Sequence, residues 1–191
     1  WNVKRLAPEG IFSFDYDREN YVKELWFAEG LTSYYDELVL KRVGLSDRET
    51  YLDVIKGEIN TLEARPGKNH QSVTAASFDA WIKYYRRNEH SPNSSISYYN
   101  KGHLLALLLD LKIIAATDGK VNLDAVVKKL YQDFALKQRG FSNGDVRIAC
   151  EKLSGLKLRD FFDNYVYGVE PLPYAPIFEL AGLELDSTIE K

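Results

Sequence analysis

Tyr98-Tyr99-Asn100-Lys101-Gly102-His103-Leu104-Leu105-Ala106-Leu107-Leu108-Leu109-Asp110-Leu111-Lys112-Ile113-Ile114-Ala115-Ala116-Thr117 is the most apolar helical segment of this chain. Its apolar residues do not keep to one stripe but run nearly all round a helix. Such a helix belongs at the centre of a bundle, wrapped by others. The continuous run Leu104 to Leu109 is far too short for a bilayer, which takes about 20 residues to cross. The fold class predicted is therefore all-α, a helical bundle built around residues 98–117 and turned afterwards by Asp118-Gly119-Lys120.

Working outward, residues 1–19 read as an extended lead-in. Pro8-Glu9-Gly10 turns it, and Phe12, Phe14 and Tyr16 alternate at strand period. A first long helix is expected from Asn20 to Val43, closed by Gly44 at the C′ position. Ser46-Asp47-Arg48-Glu49 has the pattern of a capping box and opens a second helix that ends before Arg65-Pro66-Gly67. Lys68 to Ala76 reads as polar loop. The next helix, Phe78 to Arg87, carries Phe78, Trp81, Ile82 and Tyr85 on one face. A second loop, His90 to Ser97, is rich in Asn, Ser and Pro. Beyond the central helix, Asn122 is placed to cap a helix from Leu123 to Lys137. Further helices are expected over Asn143–Leu153 and Leu158–Tyr167, where Asp160, Asp163 and Tyr165 form a polar side. The tail from Pro171 ends in a short strand near Leu183–Leu185. No self-similar period of 20–50 residues marks a solenoid.

Composition narrows the function classes. The 191 residues suit one domain, or a large piece of one. With 45% hydrophobic and 28% charged residues, the chain is an ordinary globular sequence. A net charge of −3 with scattered basic residues argues against nucleic acid as a partner. Neither a membrane span nor a signal peptide is visible. Cys150, the only cysteine, excludes internal disulfides and zinc sites built on cysteine pairs. A lone thiol favours the cytoplasm, or a periplasmic protein without disulfides. The chain has no methionine and starts at Trp1, so a fragment of a longer protein is expected.

Two residues stand out as candidates for chemistry. Glu29 lies in Leu25-Trp26-Phe27-Ala28-Glu29-Gly30-Leu31-Thr32-Ser33-Tyr34-Tyr35, a carboxylate on an otherwise apolar, aromatic helix. Burying it without a partner costs several kcal/mol, so it needs a cation: a metal, or a Lys or Arg from another helix. Gly30 marks a close approach, since glycine inside a helix costs about 1 kcal/mol against alanine. Thr32 and Ser33, one turn on, are placed as hydroxyls that could orient a neighbouring ligand. Tyr99, in the first turn of the central helix, could present its hydroxyl to a cleft and stabilise an oxyanion there; the alternative is a satisfied core tyrosine. The three histidines, His70, His90 and His103, form no metal-binding pair. No nucleophile elbow or glycine-rich phosphate loop appears.

Together, Trp1-Asn2-Val3-Lys4-Arg5-Leu6, Trp26-Phe27-Ala28-Glu29-Gly30 with Thr32-Ser33-Tyr34-Tyr35, Ala76-Ser77-Phe78-Asp79-Ala80-Trp81 and Ser97-Tyr98-Tyr99-Asn100-Lys101-Gly102, leading to Leu109-Asp110, resemble the glycyl aminopeptidase family of zinc metallopeptidases. The likeness extends to about Gly182, with the motifs in family order. It implies the helical half of a thermolysin-like (gluzincin) catalytic domain. There zinc is held by two histidines of an H-E-x-x-H helix and a glutamate in a Trp-x-x-Glu-Gly context. By this resemblance Glu29 is the third zinc ligand, Ser33 supports a zinc-bound histidine, and Tyr99 of Tyr-x-Lys-Gly stabilises the tetrahedral intermediate. The implied reaction is zinc-assisted hydrolysis of N-terminal peptide bonds, small residues such as glycine favoured.

In that family Trp-Asn-Val-Lys-Arg follows almost directly on H-E-x-x-H. Both histidines and the general base are therefore expected upstream of Trp1, and the chain alone is expected to be inactive and to hold no zinc stably. The family's N-terminal β domain and downstream peptide-binding module are likewise expected to lie outside these residues. Removing the H-E-x-x-H helix is expected to uncover apolar surface near Trp26 and Tyr99, which invites dimerisation. The alternatives are a helical interaction module that keeps the fold without chemistry, and an unrelated all-α domain with Glu29 in a surface salt bridge.

Overall fold

In a computed structural model of the chain, which describes residues 2–186, the segment read as the centre is the centre. The described residues form ten α-helical segments: α1 (Glu9–Phe12), α2 (Leu31–Arg42), α3 (Arg48–Glu63), α4 (Val73–Phe78), α5 (Ser91–Ser94), α6 (Tyr98–Ala116), α7 (Leu123–Asp133), α8 (Asn143–Ser154), α9 (Arg159–Phe161) and α10 (Tyr174–Phe178). Every residue of α6 from Asn100 to Asp110 is buried, and α2, α3, α4, α7, α8 and α10 all pack against it. The fold is all-α; the described residues make two isolated β-bridges, Asn2 with Leu6 and Pro8 with Phe141, and no sheet.

Three helices contain or adjoin a π-helical turn: Trp26–Gly30 before α2, Ala80–Tyr84 after α4, and Phe162–Tyr167 after α9. A π-turn bonds i to i+5, widens the helix and often marks a functional place.

Several boundaries differ from the sequence reading. The lead-in is not a strand: residues 9–12 form a helical turn, and Phe14 and Tyr16 point into solvent. The first long helix starts near Leu25 rather than Asn20, because Asn20 folds back and exchanges hydrogen bonds with the Asp15 backbone. Gly44 does terminate α2, with a φ of 77°. The N-cap of α3 is Asp47 rather than Ser46, its carboxylate accepting from the Thr50 N–H at 2.8 Å, a contact worth about 1 kcal/mol. Residues 73–76, placed in a polar loop, belong to α4, which Ser72 caps. A short helical turn, α5, interrupts the loop before α6. The helix over Leu123–Lys137 ends as α at Asp133 and continues as a 3-10 turn, Ala135–Lys137.

Asn122 stands at the N-cap of α7 without a capping bond to its side chain. Buried Asp110 does that work from α6. It accepts from the Leu123 N–H at 2.8 Å and from the Tyr34 hydroxyl at 2.7 Å, tying α2, α6 and α7 together. Residues 183–186 are coil where a strand was expected. No helix of the described residues is long and apolar enough to cross a membrane.

Candidate active site

The turn that carries Glu29 is anchored from three directions. Its start is held by Ser77 of α4, whose hydroxyl accepts from the Trp26 N–H at 3.0 Å. Its core side is held by Trp26 itself, fully buried, with Nε1 donating to Asn143 Oδ1 at 2.8 Å and its ring edge-on to Phe27 and Phe162. Its outer side is held by Asn2. The widened turn leaves the Ala28 carbonyl open to side-chain donors, and Asn2 Nδ2 takes it together with the Thr32 hydroxyl. Sequence reasoning missed Asn2 and Ser77 as anchors. Both lie in the quoted motifs, but their partners are 26 and 51 residues away, beyond any periodicity.

Gly30 meets α6 directly. A Cβ built on Gly30 would lie 2.5 Å from the Gly102 Cα, and one on Gly102 would lie 2.3 Å from the Trp26 carbonyl oxygen. The two helices cross backbone on backbone, and any side chain at either position would force them apart. The close approach inferred from Gly30 is therefore made by another helix. This crossing sets Glu29, beside Gly30, near Tyr99, three residues before Gly102 on α6.

Glu29 is half-buried. Among the described residues its carboxylate has neither a hydrogen-bond donor nor an ion-pair partner, so the salt bridge of the structural alternative is not formed there. Burial holds its pKa above the usual carboxylate range. It faces a groove of about 610 Å³ shared with Asn2, Lys4, Thr32 and Asp36. The Ser33 hydroxyl donates to the Glu29 backbone carbonyl at 3.2 Å, the ordinary back-bond of a serine to its own helix, and the Thr32 hydroxyl makes the same bond to Ala28.

Tyr99 is likewise half-buried and belongs to a cluster of four tyrosines. Its ring stacks on Tyr98 at 4.5 Å between centroids, Tyr84 lies 5.9 Å away, and its hydroxyl is 3.4 Å from that of Tyr85. Its pKa is pushed up to about 12, by burial first, then by the bond with Tyr85, and further by the Glu29 charge. Tyr99 thus keeps its proton at neutral pH, a state the Glu29 charge also favours.

The histidines stand elsewhere. His70 and His90 are exposed, and His103 is buried with its ring edge-on to Tyr34 and its pKa lowered by burial. Among the described residues no three His, Cys, Asp or Glu side chains gather as a metal site. Trp26, named as a place where apolar surface would be uncovered, is fully buried. Near Tyr99 the apolar surface is bare: Tyr85, beside it, is exposed, as are Phe78, Trp81 and Ile82 on the face that periodicity assigned to packing.

The profile of the M61 glycyl aminopeptidase family matches residues 1–105. Among solved structures, the chain is similar to the crystal structure of an aminopeptidase N family protein from Idiomarina loihiensis, with a TM-score of 0.89 and 36% identity. The likeness covers 94% of this chain and 30% of that one, so the chain spans less than a third of that relative. No curated protein matches the chain.

Proposed function

The chain belongs to the M61 glycyl aminopeptidase family, and from that premise we propose that it is part of a longer zinc aminopeptidase in which Glu29 is a metal ligand and Tyr99 the oxyanion donor. The observation that carries this reading is the pairing at the α2/α6 crossing. A half-buried carboxylate, unpaired among the described residues, sits next to the glycine that meets Gly102, on the helix whose first turn carries the Tyr99 hydroxyl.

Glu29 fits a carboxylate ligand of zinc: it faces an open groove, and a nearby cation would relieve the desolvation that raises its pKa. In this reading the two remaining ligands are the histidines of the family's H-E-x-x-H motif. When bound, zinc supplies Lewis-acid polarisation of a carbonyl and lowers the pKa of water toward neutrality. The chain's own residues do the rest. Asn2, Ser77 and the glycine crossing hold the Glu29 turn in place. Tyr99 donates its hydroxyl proton in a hydrogen bond to the oxygen that gains charge as the amide carbonyl is attacked. The Tyr85 hydroxyl and the stacked Tyr98 ring fix the direction of that donor. The substrate would be a peptide with a free amino end, small N-terminal residues favoured.

The test is a longer chain carrying the family's upstream segment. It should bind about one zinc and hydrolyse aminoacyl-anilides, and Glu29→Gln should abolish tight zinc binding. Tyr99→Phe should lower kcat by about 100-fold or more with little change in KM, the loss of about 3 kcal/mol expected for one oxyanion donor. Zinc binding indifferent to Glu29→Gln, or full activity in Tyr99→Phe, removes that residue from the mechanism.

A further inference from the structure

Beside the crossing runs a groove of about 660 Å³, within the size range of small-molecule sites. Phe14, Leu25, Phe78, Trp81, Ile82 and Tyr85 line it, and its surface is mostly apolar. Trp81 is 63% exposed, Ile82 56% and Tyr85 55%, a concentration of bare apolar surface that ordinarily marks a binding site. Two wall residues lead into the candidate active site. The Tyr85 hydroxyl lies 3.4 Å from that of Tyr99, and Leu25 stands one turn before Glu29 on the same helix. Arg86 at the rim has no ion-pair partner among the described residues. A ring-lined floor that runs toward the reacting groups, with a free guanidinium at its edge, suits an aromatic side chain next to a carboxylate.

We propose that this groove is the subsite that receives an aromatic side chain of the peptide substrate, with Arg86 meeting the carboxylate of a short peptide. The inference rests on the assignment of Glu29 and Tyr99 to the active site, but it is tested by binding to the chain as it stands, without zinc or turnover.

Calorimetric titration of the chain with glycyl-phenylalanine, its C-terminal amide and glycyl-glycine reads the subsite directly. Glycyl-phenylalanine should bind at least tenfold more tightly than glycyl-glycine, and the amide should bind more weakly than the free acid. Trp81→Ala should erase the preference for phenylalanine, whereas Leu45→Ala, at an exposed apolar residue outside the groove, should leave it intact. Arg86→Gln should erase the difference between acid and amide. In NMR spectra, the ring signals of Tyr85 and Tyr99 should shift on saturation.

Equal affinity for the two dipeptides overturns the proposal, as does a phenylalanine preference that survives Trp81→Ala. Binding that leaves Tyr99 unmoved makes the groove a site apart from the reaction and also overturns it. A dimer that dissociates on Trp81→Ala, with no dipeptide bound, assigns the groove to a second copy instead. None of these results depends on Glu29 binding zinc, so a failed subsite and a failed active-site assignment remain separable.

Discussion

Trp26 and Trp81 both sit in π-helical turns among aromatic neighbours, yet Trp26 is fully buried and Trp81 is 63% exposed. The difference lies in what the backbone around them permits. Gly30 and Gly102 let α6 come down onto the first turn until main chain touches main chain, which seals Trp26 against Phe27, Phe162 and Asn143. No described helix comes down onto the second turn, and its rings line a groove. The first turn is built to place a carboxylate; the second leaves its aromatic face open. Residue type does not separate the two, but a partner glycine does.

The comparison breaks most decisively at the glycine. Gly102→Val should prevent folding or destabilise the chain by more than about 4 kcal/mol, since the added carbons meet backbone that cannot move aside. Loss of helical circular dichroism, or a much lower midpoint in urea, would show it. A near-normal midpoint would mean that the helices do not cross as closely as described.

Next come the tryptophans themselves. Trp26→Ala should cost about 3–5 kcal/mol and Trp81→Ala less than about 1 kcal/mol, measured by denaturant unfolding. Equal costs would erase the distinction between the two turns.

A third test uses Lys101, next to Gly102 on the packed side. It is 2% exposed, and burial pushes its pKa down from 10.5 to about 8, against the pull of Glu63. Between those values the unfolded chain holds a proton that the folded chain has released, so stability should rise with pH from about 8. The full difference is on the order of 3 kcal/mol. Above about 10 the buried tyrosines act the other way, because Tyr34 and Tyr98 resist ionisation only when folded. Lys101→Met should flatten the rise between pH 8 and 10 and be no less stable than the parent chain at pH 7; an unchanged slope would place the titration elsewhere.

The smallest effect is a gain. Gly57 in α3 has nothing within 4 Å of where a Cβ would go, so Gly57→Ala should raise stability by about 0.5–1 kcal/mol. Together with the Gly102 variant, it separates glycines needed for close approach from those that are not.

Periodicity was a sound guide where burial was complete or caps were local. The helix over 98–117, its turn, the stop at Gly44 and the helix over 143–153 all stand within a residue or two of the reading. It failed where a distant partner decides. Asn20 bonds Asp15 instead of starting a helix, and Asp110 takes the role read for Asn122. The face Phe78, Trp81, Ile82 and Tyr85 has helical spacing but no partner helix, and spacing alone cannot tell a core stripe from a bare one. Glu29 and Tyr99 were legible as candidates, and the resemblance supplied their roles. What joins them, the contact of Gly30 with Gly102, spans 72 residues and leaves only two glycines in the sequence as its trace.

That contact also sets a tolerance. Helices held apart by side chains can slide by an ångström as rotamers change or as a core mutation is absorbed. Where main chain rests on main chain, that adjustable layer is gone, and the spacing of Glu29 from Tyr99 follows from bond lengths and van der Waals radii. Substitutions elsewhere in the core can therefore soften the chain or lower its melting point while the two groups keep their alignment. At the contact itself, the two residues that leave no room for a side chain are Gly30 and Gly102.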